Sequence, residues 1–200
     1  MGRVIHDIVL ETHGVRLEPL AKRHAEALAA LVDDGIWAGM TQPLPGTPEL
    51  MATYVEAARA APDQVPFAVV SAADGVVRGS TRLYDLAPAQ RRVEIGATFY
   101  GRDWWGGATN PACKYLLLRH AFEELGLQRV ALRGDSRNTR SLAAMRRLGA
   151  TQEGVLRAHR IAPDGSTGDS VYFSILADEW PAVRDGLLAR LASIGATAGA

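Results

Sequence analysis

The segment 91–135 constrains this chain more than any other. "RRVEIGATFY" (91–100) reads as a strand, 111–125 as a helix and "RVALRGD" (129–135) as a second strand. A strand that returns through a helix must lie parallel to the first, by a right-handed crossover. Elsewhere the neighbouring strands are joined by turns and must be antiparallel. "PFAVVSA" and "VVRGSTRLYDL" flank Ala73-Asp74-Gly75, and two late strands, near 151–162 and 168–177, flank "PDGSTGD". The expected class is α/β with mixed α+β character: a mixed, mostly antiparallel sheet with helices on both faces.

The remaining elements follow from periodicity and punctuation. Residues 8–18 look extended, with a break near Gly14. Residues 20–34 carry apolar positions at helical spacing and stop before Gly35, and 48–61 form a second helix that stops at Pro62. In the 111–125 helix Asn110 is placed to cap, Pro111 suits the first turn and Gly126 follows the end. A helix over 138–149 closes on glycine, and a last one lies near 179–193. One domain is expected over 1–195, with "ATAGA" (196–200) as a frayed tail.

Charge and composition narrow the function classes. Lys plus Arg equals Asp plus Glu at 22 each, so no basic surplus draws in nucleic acid or anionic lipid. The five histidines show no ligand spacing, and no metal is expected. The single cysteine, Cys113, excludes an internal disulfide and fits a reducing cytoplasm. No apolar run approaches the roughly 20 residues of a membrane span, and "MGRVIHDIVLETHG" lacks the pattern of a signal peptide.

The loop "WWGGATN" (104–110) stands between the parallel-pair strand and its helix. Glycines let backbone N–H groups approach an anion, and a helix N-terminus favours negative charge. The Walker pattern fails because no Gly-Lys-Ser/Thr follows. The dinucleotide fingerprint fails because its third glycine is missing.

Taken together, "GVRLEPL", "VEIGATFY", "WWGGATN", "KYLLLRHAFEELGLQRV", "DSRNTRSLAAMRRLGATQEGVLR" and "DSVYFSIL" resemble, in order over 14–181, a GNAT-superfamily N-acetyltransferase. The likeness is to the branch of ribosomal-protein N-terminal acetyltransferases. The resemblance implies the GNAT fold, with a central splayed parallel pair, and acetyl-CoA as co-substrate. It implies that the loop Trp104, Trp105, Gly106, Gly107, Ala108 and Asn110 receives the pyrophosphate. Trp105 stands where the family has Gln or Arg, Ala108 where it has Gly, and Asn110 where it has Gly or Ala. Lys114, with Arg146 or Arg147, is a source of positive charge for the phosphates. Backbone groups of Thr98 and Phe99 pair with pantetheine. Asn138 contacts the same arm or caps its own helix.

Acetyl transfer to an amine needs a base for the ammonium proton and an acid for the leaving thiolate. Glu94, among apolar neighbours and at a glutamate position of the branch, is the base candidate; the alternative is an exposed glutamate pairing with Arg91 or Arg92. Met145 occupies the position of the tyrosine acid used by many relatives. Ser141 matches the serine assigned as acid in this branch, or is a small residue that lets CoA pass, and Tyr172 is a reserve donor. Cys113 reads as packing. Trp37, Arg82, Tyr84 and His159 are expected to border the acyl end. The implied acceptor is a primary amine, either a protein N-terminus or a small molecule, and a homodimer stays open. The alternatives are a CoA-binding module without catalysis and a transferase for another acyl-CoA such as succinyl-CoA.

Overall fold

The computed structural model describes residues 7–198. Residues 1–6, part of the stretch read as lacking a signal peptide, and residues 199–200 of the expected tail lie outside it. The strands are β1 (Leu10–Thr12), β2 (Val15–Pro19), β3 (Val65–Ser71), β4 (Val77–Ala87), β5 (Arg92–Tyr100), β6 (Arg129–Asp135), β7 (Thr151–Ile161) and β8 (Thr167–Leu176). The helices are α1 (Ala25–Leu31), α2 (Asp34–Trp37), α3 (Pro48–Ala60), α4 (Thr109–Arg119), α5 (Thr139–Leu148) and α6 (Trp180–Ala198). All eight strands join one sheet in the order β1-β2-β3-β4-β5-β6-β8-β7. The pair β5–β6 is parallel, and every other pair is antiparallel.

Two apolar layers hold the sheet. On one face Leu17, Phe67, Ile95, Leu132 and Phe173 pack with Leu116 and Leu117 of α4, Leu142 of α5 and Leu187 of α6. On the other Ala68, Val70 and Phe99 pack with Leu28 of α1, Trp37 of α2 and Met51 and Val55 of α3. Alternation along β5 decides which residues enter which layer: Val93 and Ile95 face the first, so Glu94 faces the other side.

Several boundaries differ from expectation. The single helix over 20–34 is replaced by a short 3₁₀ turn at Lys22–His24, then α1, then α2. The Asp33 carboxylate accepts from Ile36 N at 2.8 Å, so a capped second helix begins where the first was expected to end. Helix α4 begins at Thr109, so Asn110 lies inside it and is no cap; its Oδ1 instead accepts from the Tyr100 hydroxyl at 3.3 Å. The helix ends in a π turn over His120–Glu124 before Gly126, whose φ is +62°. Helix α6 runs to Ala198, into the residues expected to fray.

Candidate functional site

Strands β5 and β6 are paired from Arg92↔Arg129 only as far as Ile95↔Leu132. Beyond that point β5 stays bonded to β4 through Tyr100, and β6 to β8 through Asp135. The two strands therefore part at the centre of the sheet. A bulge accompanies the parting. Thr81 alone lies between the pairs Ser80↔Phe99 and Arg82↔Gly96, opposite both Ala97 and Thr98, and Ala97 adopts φ +45°. The bulge is pinned by a 2.7 Å hydrogen bond between the Thr81 and Thr98 hydroxyls.

A cleft of about 280 Å³ occupies this gap. One wall is β5 from Gly96 to Tyr100, and the other is Arg133, Gly134 and Asp135 of β6. Asn138, Ser141 and Met145 of α5 close one side, Lys114 of α4 lies at the loop, and Gly39 and Met40 reach in from the segment after α2. Of the residues singled out from the sequence, Thr98, Phe99, Trp104, Trp105, Gly106, Gly107, Asn110, Lys114, Asn138 and Ser141 line this one space. Ala108 does not line it and forms the N-cap position of α4. Arg147 lines the cleft, whereas Arg146 turns to Gln152.

The loop before α4 is organised by its tryptophans. Trp104 N and Trp105 N donate to Gly101 O and Arg102 O, each at 3.0 Å, in a 3₁₀ turn. Trp104 packs on the first apolar layer, with the Arg78 guanidinium 4.5 Å over its ring. Trp105 donates its indole N–H to Tyr100 O at 2.9 Å. Its ring meets the guanidinium of Arg140 at 3.4 Å and that of Arg102 at 4.9 Å. The Trp105 π face thus holds Arg102 of its own turn and Arg140 of α5. Gly106 has φ +77°, and a Cβ on Gly106 or Gly107 would meet no atom within 4 Å. The backbone of the loop is open to the cleft.

Charge supports an anion here. Lys114 makes no ion pair among the described residues, and burial pulls its pKa down to about 8. The Arg140 pKa is lowered by burial and by the neighbouring Arg102. The open glycine backbone and these cations fit a diphosphate. Cys113 is fully buried, and burial pushes its thiol up to about 12, so it is a packing residue and no thiolate nucleophile.

At α5 the Asn138 carboxamide accepts from Ser141 N at 3.0 Å, which makes it the helix cap while it also lines the cleft. A Cβ on Gly134 would stand 3.6 Å from Ser141 Oγ, so that hydroxyl lies against β6 where the strands part. Tyr172 does not line the cleft. Its hydroxyl accepts from Arg133 Nη1 at 2.7 Å.

Glu94 is 5% exposed and does not itself line the cleft. Its Oε1 accepts the Tyr84 hydroxyl proton and lies 3.0 Å from Arg133 Nε, and Arg133 does line it. Burial raises the Glu94 pKa, against the lowering by Tyr84 and Arg133. Arg91 and Arg92 turn elsewhere: Arg91 to Gly126 O, Arg92 to Asp85 and Gln90. Arg133 was missed from the sequence. Its only signal was the pairing of strands, which puts it on the same strand face as Ala131, the partner of Glu94.

The residues expected to border the acyl end fall in different places. Tyr84 is in the Glu94 cluster. His159 bonds Ser170 Oγ through Nδ1 at 3.0 Å and meets Tyr172 edge to face at 5.7 Å. Trp37 is buried against Tyr54 and Phe99, and it borders a second, wider cleft of about 880 Å³ that shares Gly39, Trp105, Asp135, Asn138 and Arg140 with the first. Arg82 lines neither cleft. It is 6% exposed and binds Gln64 Oε1 and the Tyr54 hydroxyl.

A parallel pair that opens at the sheet centre, with a glycine loop and helix behind it, defines an acyl-transferase-type α/β architecture. The chain belongs to the acetyltransferase (GNAT) domain family, whose model matches residues 15–151. It is similar to the "Putative ribosomal N-acetyltransferase YdaF" of Bacillus subtilis, at 36% identity over 108 residues. That match spans 54% of this chain and only 57% of the relative. Among solved structures, a "putative acetyltransferase" of T. thermophilus superposes with TM-score 0.85 at 38% identity, covering 92% of this chain and 96% of that one. A GCN5-related N-acetyltransferase of Brucella melitensis gives TM-score 0.86 at 29% identity over 93% and 86% of the respective chains.

Proposed function

We propose that this protein transfers an acetyl group from acetyl-CoA to a primary amine. The observation that carries the reading is the gap between β5 and β6, which joins the loop and Lys114 to the Glu94–Arg133 cluster. Bound there, acetyl-CoA would supply an activated thioester carbonyl. Gly106, Gly107 and Lys114 would hold its diphosphate, with Arg140 and Arg147 as further cations. The edges of Thr98 and Phe99, left without a β6 partner, would pair with the pantetheine amides.

The amine nitrogen forms the new N–C bond and the C–S bond breaks. Glu94 takes the proton that frees the amine lone pair, directly or through water, since a protonated amine cannot attack. Burial raises the Glu94 pKa, which makes its carboxylate a stronger base than a solvated one. Ser141, against Gly134 in the gap, would donate a hydrogen bond to the sulfur as negative charge develops, and the second proton, shed by the acylated nitrogen, would pass to the thiolate so that it leaves as the thiol.

A CoA-binding module without turnover is the second reading, because Tyr84 and Arg133 occupy the Glu94 carboxylate. Thiol release on mixing acetyl-CoA with a panel of amines tests the two. Amine-dependent release is expected. Calorimetric CoA binding with no release for any amine would replace transfer by the binding module.

A further inference from the structure

The Glu94 cluster contains more than a base. Arg133 lies 3.0 Å from the Glu94 carboxylate, with its guanidinium 5.3 Å and 5.7 Å from the ring centroids of Tyr84 and Tyr172. Nη1 donates to the Tyr172 hydroxyl, so the head group is held from both sides. Yet 38% of the Arg133 side chain stays exposed, against 7% for Glu94, and Arg133 faces the cleft. Arg133, the first residue of β6 past its last pair with β5, therefore presents a cation to the cleft, with the buried Glu94 carboxylate directly behind it.

We infer that the acceptor is a small molecule carrying a carboxylate next to its amine, in the manner of a free α-amino acid, with Arg133 receiving the carboxylate at the cleft while Glu94, behind it, takes the amine proton directly or through water. This rests on the acyl-transfer reading above. The charge balance favours it over a peptide N-terminus. An ammonium entering alone competes with Arg133 for Glu94, so the guanidinium loses its carboxylate partner and keeps only the Tyr172 hydroxyl and solvent. An amino acid brings both charges, so one ion pair is exchanged for two and no charge is stranded. Arginine is suited to the task, because its planar fork meets a carboxylate through two parallel N–H groups.

The test compares the common L-amino acids with their primary amides and with short peptides beginning in the same residue. Each is measured by turnover with acetyl-CoA and by calorimetric binding to the CoA-loaded protein. Free acids are expected to be preferred about tenfold or more by both readouts, as for loss of one charge-assisted contact. Arg133→Gln should bring the acid-to-amide ratio to near one, and Arg133→Lys should restore part of it. Amides or peptides equal to or better than the acids in the wild-type protein would overturn the inference and leave amine acetylation standing. An unchanged ratio in Arg133→Gln would also overturn it. Preferential binding of the acids with no turnover would sustain carboxylate recognition and sink the transfer reading instead.

Discussion

At the scale of single residues, Glu94 and Lys114 are ionisable groups that burial has moved toward neutrality. For Glu94 the folded pKa lies above its unfolded value near 4.5. As pH rises through 4.5 the unfolded chain ionises first, so the folded state loses stability until the folded pKa is passed. Glu94→Gln should therefore leave the thermal midpoint at pH 7 equal or higher, with the gain disappearing below about pH 4.5, while turnover falls ~10²-fold or more. A melting series across pH beside steady-state rates checks both, and undiminished turnover would remove Glu94 as base. For Lys114 the sign is opposite. Its pKa of about 8 should rise when a diphosphate sits beside it. CoA binding at about pH 8–9 is then expected to take up protons, and calorimetry in buffers of different ionisation enthalpy measures that uptake. Lys114→Met should abolish the uptake and weaken binding. Both shifts depend on what packs around the residue. The sequence could nominate the two side chains, but the direction of their titration came from tertiary burial.

At the scale of elements, the helices whose ends carry strong local signals were legible. Asn138 caps α5 and Gly149, at φ +91°, closes it, as the spacing of "NTRSLAAMRRLG" implies. Asn138→Ala should cost about 1 kcal/mol, or a drop of ~2–4 °C in Tm, and Asn138→Asp should recover most of it because the carboxylate still caps. Thermal melts of the two variants decide this; equal loss in both would mean the cap contributes little. In the loop, Gly106→Val places a β-branched side chain at φ +77°, and CoA affinity is expected to fall about tenfold or more by calorimetry. Wild-type affinity in that variant would dismiss the loop as the diphosphate site. Other boundaries were not legible. The apolar periodicity of 20–34 continues through the break before α2, and only the Asp33 cap shows where one helix yields to the next. The start of α4 was misplaced because Asn110 beside Pro111 looks like a cap, whereas its carboxamide is engaged by Tyr100.

At the scale of the whole molecule, one buried ion pair ties distant segments at the mouth of the cleft. Asp135, at the end of β6, lies 3.4 Å from Arg160 of β7, and Arg160 Nη2 donates to Gly39 O at 2.8 Å and Met40 O at 2.9 Å. The Arg137 side chain beside Asp135, with Arg160 behind it, holds its carboxyl below the usual range. A depressed carboxyl pKa contributes stability that is fully present above the unfolded value near 3.8 and is lost as pH falls through the folded one. Asp135→Asn should lower stability by about 2–4 kcal/mol at pH 7, leaving Arg160 buried without its anion, and the gap from wild type should narrow as pH falls below the unfolded value near 3.8. Denaturant titrations at about pH 7 and pH 3 make the comparison. Asp135, Arg160 and the Gly39–Met40 carbonyls lie far apart in the chain, so no motif announced their meeting. What the sequence determined by itself was local or ordered along the chain: the strand–helix–strand step that forces one parallel pair, the turns that make the other pairs antiparallel, the glycine loop and the α5 caps. Those features depend on backbone geometry within a few residues, which amino-acid type controls directly. What only the tertiary structure decided was the company each side chain keeps. It set Arg133 beside Glu94, Arg140 over Trp105 and Arg160 across to Gly39, because charge pairing and burial arise between segments that meet only when the sheet closes.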